Sequence, residues 1–154
     1  MFLVDFMIYT SSYKNIDIIN NNVCSISGDR GKSVDYKGKC YPKLAPKLSF
    51  WKEWHSNIGV IDEKENNYFY IKEYYEQVLS NLDPELVYND LDGNILLCYE
   101  DNMEFCHRHI VAAWLEIMLG IDVFEVKEND IVTRPQYIKE YLKKVMDIKE
   151  KKRQ

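Results

Sequence analysis

Residues 95–109 read Ile-Leu-Leu-Cys-Tyr-Glu-Asp-Asn-Met-Glu-Phe-Cys-His-Arg-His, the densest run of reactive side chains in the chain. Cys98 and Cys106 are candidate nucleophiles, or thiols poised by a neighbour. His107 and Glu100 are candidate proton carriers. Arg108 offers a rigid fork of donors for an anion. A helix N-terminus at this point would add free N–H groups and a positive dipole, which favour an anion and lower the pKa of a nearby thiol. Cys106, His107 and Arg108 are sequence neighbours, so on a regular helix they fan out. They share one target only if the helix begins late. His109 is expected to face solvent. The plain structural reading makes Cys98 a small core residue and His107 with Arg108 a hydrogen-bonded pair at a helix start.

Two cysteines and two histidines could also furnish tetrahedral zinc. The spacing Cys-x7-Cys-His-x-His is not a standard one, and three ligands within four helical residues diverge. Neither a metal nor a cofactor is therefore expected, and a structural zinc domain is the third-ranked reading.

A second stretch carries different chemistry. Arg30, Lys32, Lys37, Lys39, Lys43, Lys47 and Lys52 interleave with Tyr36, Tyr41, Phe50, Trp51 and Trp54, with Asp35 the one acid among the first of them. Cations for phosphates and rings for base stacking are the ingredients of single-strand nucleic-acid sites. Arg30, Lys43 and Lys47 are accordingly candidate substrate-binding residues beside Arg108. A solvated lysine-rich loop over an aromatic helix is the bland alternative. No Walker loop, Gly-x-Gly-x-x-Gly or His-Glu-x-x-His is present.

The elements that would position these groups follow from pattern. Residues 4–9 and 23–27 read as strands, and 28–31 as loop. Residues 47–56 carry Leu48, Trp51 and Trp54 at helical spacing, 57–67 read as a polar surface loop, and 69–82 as a helix. Asp83-Pro84 is an N-cap followed by Pro at the first helical position, with the helix ending near Leu91. Residues 94–99 form an apolar run that reads as a buried strand. Asp101 and Glu104 stand at capping-box spacing. Ile110, Val111, Trp114, Leu115, Met118 and Leu119 form one helical face closed by Gly120. A short strand at 123–126 and a helix opening at Pro135 complete the series. Strands alternating with helices specify an α/β layered domain with a mostly parallel sheet, whose ligands gather beyond the carboxyl ends of the strands.

The chain has 154 residues, enough for one domain, expected over 1–148 with a frayed basic tail at 149–154. Its net charge of −5 argues against indiscriminate nucleic-acid affinity while leaving a locally basic face. Four cysteines without a secretion signal read as free thiols, and no run approaches the ~20 apolar residues of a membrane span. A cytoplasmic location and no membrane partner are expected.

Leu96 to Glu100, followed by Phe105 to Arg108, resembles the most specific signature of the bacterial domain-of-unknown-function (DUF) family 488: a strand ending in Leu-Cys-x-Glu, then Cys-His-Arg opening a helix. Tyr36 to Gly38, Leu44 to Lys47, Trp51 to Trp54 and Tyr74 to Pro84 match as well, so the resemblance spans about residues 6–126. It implies a Rossmann-like, three-layer α/β domain and a shared site at Cys98, Glu100, Cys106, His107 and Arg108. The family's Asp-x-Arg-type segment after the second strand is replaced here by Ser27-Gly-Asp-Arg30.

The leading expectation is an enzyme acting on a nucleotide, nucleic acid or other anionic substrate at a Cys/His/Arg site. The alternative is a non-catalytic module that binds nucleic acid or protein through residues 30–54.

Overall fold

The computed structural model describes residues 7–153, with side chains described through residue 147. The described residues form five strands and five α-helices: β1 (Tyr9–Ser12), β2 (Val23–Ser25), α1 (Leu48–Asn57), α2 (Glu63–Gln77), α3 (Pro84–Leu91), β3 (Ile95–Cys98), α4 (His107–Leu119), β4 (Phe124–Lys127), β5 (Asp130–Val132) and α5 (Tyr137–Arg153). The strands form one sheet in the order β2-β3-β1-β4-β5. The first four are parallel, and β5 returns antiparallel on β4. This is an α/β domain with a mixed, mostly parallel sheet, consistent with a Rossmann-like fold.

Side-chain alternation divides the two faces of the sheet. Ile8, Cys24, Leu96 and the buried face of α4 join one apolar cluster with α2, α3 and α5. Tyr9, Ile95, Leu97 and Val126 form a second cluster with Ile16, Ile18 and Tyr36. The layer on that second face is therefore built from connecting segments, and α4 is the helix in closest contact with the strands. Residues 107–115 of α4 are buried without interruption, as expected of a helix enclosed by sheet and neighbouring helices.

Several boundaries differ from the sequence pattern, each for a physical reason. The first strand lies later than expected, and residues 4–6 fall outside the described part. Thr10, Ser11 and Ser12 are fully buried polar residues in the central strand, which hides it from a hydrophobicity reading. Two of the three hydroxyls are bonded: Thr10 Oγ1 donates to Glu125 Oε1 at 2.6 Å, and Ser11 Oγ to the Val126 carbonyl at 2.6 Å, while Ser12 Oγ is buried without a partner. The expected polar loop at 57–67 instead contains the start of α2. Asp62 caps it by accepting from the Glu65 N–H. Asn66 and Asn67 are buried there, bonded to the Trp54 carbonyl, the Trp54 indole and the Tyr137 hydroxyl. The Asp83 cap, the Leu91 end and the Gly120 closure at φ 65° stand where the pattern placed them.

Candidate active site

β3 ends at Cys98, and its chain turns through residues 99–105 before α4 begins at His107. The Asp101–Glu104 pair does not start the helix. Glu104 Oε1 accepts from the Asp101 N–H at 2.9 Å and closes the loop tip, and Asn15 Nδ2 pins Asp101 at 2.7 Å. Cys106 is the N-cap, with extended backbone at φ −154° and ψ 145°. That late start removes the fanning constraint. The Cys98 and Cys106 sulfurs and a His107 ring nitrogen all lie within 4.8 Å of one another.

His107 Nε2 lies 2.7 Å from the Ile26 carbonyl. A carbonyl only accepts, so Nε2 carries a proton and Nδ1 is left facing the thiols, 3.6 Å from Cys98 Sγ. Tyr74 packs edge-on against the ring, 5.6 Å between centroids, and holds its plane. Glu100 Oε2 lies 3.6 Å from Cys98 Sγ, a second acceptor within reach of its one S–H.

These contacts split the two thiols. The hydrogen bond to Cys106, then burial and the Glu100 charge, push the Cys98 thiol well above its ordinary range. At Cys106 burial opposes ionisation, but the Cys98 S–H, the Arg108 charge and His107 outweigh it and hold this thiol well below its usual value. Burial works against a charged His107, while contact with Cys106 and the Ile26 carbonyl raise its pKa above 6.5. Both directions favour a thiolate–imidazolium pair at the positive end of α4. Burial and the nearby Cys106 charge raise the Glu100 carboxyl to about 7.

The pair floors an open cleft of about 620 Å³ beyond the carboxyl ends of β2 and β3. Trp51, Trp54 and Phe105 supply its aromatic lining, and Ser27, Asp29, Ser33, Tyr99 and Glu100 its polar groups. Trp54 is held by its indole N–H to Asn67 Oδ1 at 3.0 Å, and its ring lies 5.7 Å from Phe105. Asp29 is a site residue that sequence reasoning passed over. Burial pushes its carboxyl up, but donation from the Tyr99 hydroxyl, the Gly31 N–H and Ser33 holds it well below the usual carboxylate range. The readable signal was Ser27-Gly-Asp, a turn whose Asp can cap its own loop: the Gly31 and Ser33 N–H groups both donate to it.

Of the expected site residues, Cys98, Glu100, Cys106 and His107 meet in the cleft. Arg108 does not line it. It is fully buried, with Nε and Nη2 on the two oxygens of Glu125 at 3.1 and 2.7 Å. Arg30, Lys43 and Lys47 are exposed and lie outside the lining. Lys47 stands between the lining residues Pro46 and Leu48, and Arg30 follows Asp29, which puts both at the cleft's margin.

His109 corrects the expectation of a solvent-facing side chain. It is fully buried, and neither ring nitrogen has a hydrogen-bond partner. The first nine residues of α4 are all buried, so no face was left there for it to point outward. Glu125 at 3.8 Å is beyond hydrogen-bond reach, and burial together with the Arg108 charge lowers the imidazole pKa to about 4. The neutral ring's stabilisation is fully present above 6.5 and is lost as pH falls toward 4, about 2 kcal/mol of it by pH 5. His109→Leu should remove that pH dependence, and its melting temperature should fall less between pH 7 and pH 5 than the parent's. An equal fall in both proteins would refute the buried neutral histidine.

The three converging donors are close enough for one divalent ion to bridge. A cation there would sit against the positive end of α4 with Arg108 behind it, whereas a thiolate gains from both. The thiolate state fits the surroundings better.

Fold and cleft together define an α/β domain with a cysteine–histidine centre at the ligand-binding end of a parallel sheet. The chain belongs to the DUF488-N3a family, described as the active DUF488-N3 subclade, whose profile matches residues 25–119. That span runs from β2 to the end of α4 and contains every cleft residue named above. No curated protein and no solved structure matches the chain.

Proposed function

We propose that this protein is an enzyme performing covalent catalysis on a nucleotide or nucleic-acid-derived substrate, with Cys106 as nucleophile. The observation that carries the reading is the Cys98–Cys106–His107 cluster at the floor of an open, aromatic-lined cleft. Cys106 attacks as the thiolate. His107 holds that charge, and the Cys98 S–H donates to it. Glu100, with a pKa about 7, carries a proton to the leaving group. The description of the family as an active subclade supports an enzymatic role.

The substrate class follows from the lining. Trp51, Trp54 and Phe105 suit a flat heterocycle. The Ser27, Ser33 and Tyr99 hydroxyls, oriented by the Asp29 carboxylate, accept from ring N–H or ribose hydroxyl donors. Carboxyl groups outnumber the single imidazole inside the cleft, so a phosphate belongs at the margin with Lys47 and Arg30. A free-standing nucleic-acid surface on residues 30–54 has less support. Tyr36 donates to the Lys39 carbonyl, Tyr41 to Asp90, and Phe50 is core.

Titration with nucleosides, nucleotides and short oligonucleotides tests this, read by calorimetry and by thermal shift. At least one should bind. Trp51→Ala should weaken it about 10-fold or more, the scale of one stacked base. Lys47→Ala should weaken only the phosphate-bearing ligands and reduce their salt dependence. Absence of binding across the panel, or binding indifferent to Trp51, overturns the substrate class. Stoichiometric zinc in the purified protein would replace the nucleophile with a metal.

A further inference from the structure

The proposed nucleophile has a second thiol as its neighbour, and the reaction assigned above uses that thiol only as a hydrogen-bond donor. Resting on the reading of Cys106 as the nucleophile at the floor of the cleft, we propose that Cys98 is a resolving cysteine: hydroperoxides oxidise Cys106, and Cys98 captures the product as a Cys98–Cys106 disulfide that reversibly closes the site.

The geometry supports this at three points. First, the two sulfurs are within 4.8 Å, and both border the cleft, so a small peroxide reaches them. Second, their backbones differ in constraint. Cys98 is fixed at the end of a strand paired on both sides. Cys106 is the N-cap that joins the 99–105 loop to α4, with extended backbone and no side-chain cap hydrogen bond. Closing the sulfurs to the ~2.05 Å of a bond therefore falls to Cys106 and its loop rather than to the sheet. Third, the acid–base groups for both steps are in place, with Glu100 Oε2 and His107 Nδ1 each 3.6 Å from Cys98 Sγ.

The chemistry balances as a two-electron exchange. The Cys106 thiolate attacks the outer oxygen of a hydroperoxide. The O–O bond breaks, an alcohol (or water, from hydrogen peroxide) leaves after taking one proton, and Cys106 becomes a sulfenic acid. Cys98 passes its S–H proton to Glu100 and attacks the sulfenic sulfur. The S–O bond breaks, the departing hydroxide takes a proton to become water, and the disulfide forms. Two thiol sulfurs have been oxidised and one peroxide reduced.

The other two cysteines are poor participants. Cys24 is fully buried in the core, and burial raises its thiol to about 11. Cys40 lies at the outer edge beyond β2, with its sulfur near the Arg30 and Gly38 carbonyls.

Stoichiometric hydrogen peroxide on the wild-type protein, followed by acid quench and peptide mass mapping, decides the matter. The expected result is one Cys98–Cys106 linkage with complete loss of iodoacetamide labelling at Cys106, and on adding dithiothreitol the linkage disappears and the labelling returns. Cys98→Ser should stop at a dimedone-trappable sulfenic acid and proceed at excess peroxide to the irreversible sulfinic acid. Because the wild-type map is decisive, the result does not depend on how that variant folds. A peroxide-treated protein with no such linkage, or with a different pairing, overturns the inference. If Cys106 in that same sample still alkylates readily at neutral pH, the nucleophile reading survives. If Cys106 was inert before peroxide was added, the nucleophile reading itself has failed.

Discussion

Arg108→Ala is expected to lower stability by about 3–5 kcal/mol, the cost of leaving one member of a buried ion pair alone. At about 2–4 °C per kcal/mol for a domain of this size, the melting temperature should fall by roughly 6–20 °C. The reason is what stays behind. Glu125 is fully buried in β4, and its carboxylate is held by Arg108 on both oxygens and by the Thr10 hydroxyl on one. Deleting the guanidinium leaves a desolvated charge with one neutral donor and the more distant Arg134, whose Nη2 reaches Thr10 at 3.5 Å. Replacing both partners, as Arg108→Met with Glu125→Leu, removes the stranded charge and should recover much of the loss. A double variant no better than the single would sink the ion-pair account. So would Arg108→Ala at unchanged melting temperature with ligand binding lost, because that pattern belongs to a substrate-binding arginine. The pair also ties the first turn of α4 to the sheet, so the position of Cys106 depends on it.

The sequence made the chemistry of this site legible before its geometry. Cys98 falls near a strand end because residues 94–99 are an apolar run bounded by Asp92-Gly93 and by Glu100-Asp101. Convergence of Cys106 and His107 on Cys98 was not readable, because it depends on where α4 starts. The Asp101–Glu104 spacing mimics a capping box and pointed to an earlier start. Only the extended conformation of Cys106 allows two neighbours in sequence to address one point. Arg108 shows the opposite limit. An arginine beside a cysteine and a histidine looks like an anion ligand, and its true partner, Glu125, lies 17 residues away on another element. Glu125 gave no local sign of burial, since acidic residues are seldom buried unless paired. The aromatic stretch divided for a similar reason. Helical spacing put Trp51 and Trp54 on neighbouring positions, but nothing local distinguished those two, which reach the cleft, from Phe50, which fills the core.

Alkylation of Cys106 by iodoacetamide is expected to depend only weakly on pH between 6.5 and 8.5. A reference thiol with a pKa of about 8.5 slows about 50-fold over that interval, because its thiolate fraction falls tenfold per unit once below the pKa. Cys106 should slow by no more than a few-fold. The sign follows from its surroundings. Burial favours the neutral thiol, but the Cys98 S–H, Arg108 and His107 together favour the anion and hold its pKa well below the ordinary thiol value. Two variants separate these contributions. Cys98→Ala deletes the S–H donor, and His107→Gln deletes the imidazolium. Each should lift the Cys106 pKa and restore part of the steep pH dependence. Measuring after chelator treatment keeps a bound metal from masking the sulfur. Labelling that tracks the reference thiol in the parent protein would remove the nucleophile from the proposed mechanism. A flat profile that stays flat in both variants would assign the stabilisation to the α4 terminus and Arg108 alone. The two outcomes distinguish a chemically built thiolate, tuned by a dedicated thiol and imidazole, from one that merely sits at a positive helix end.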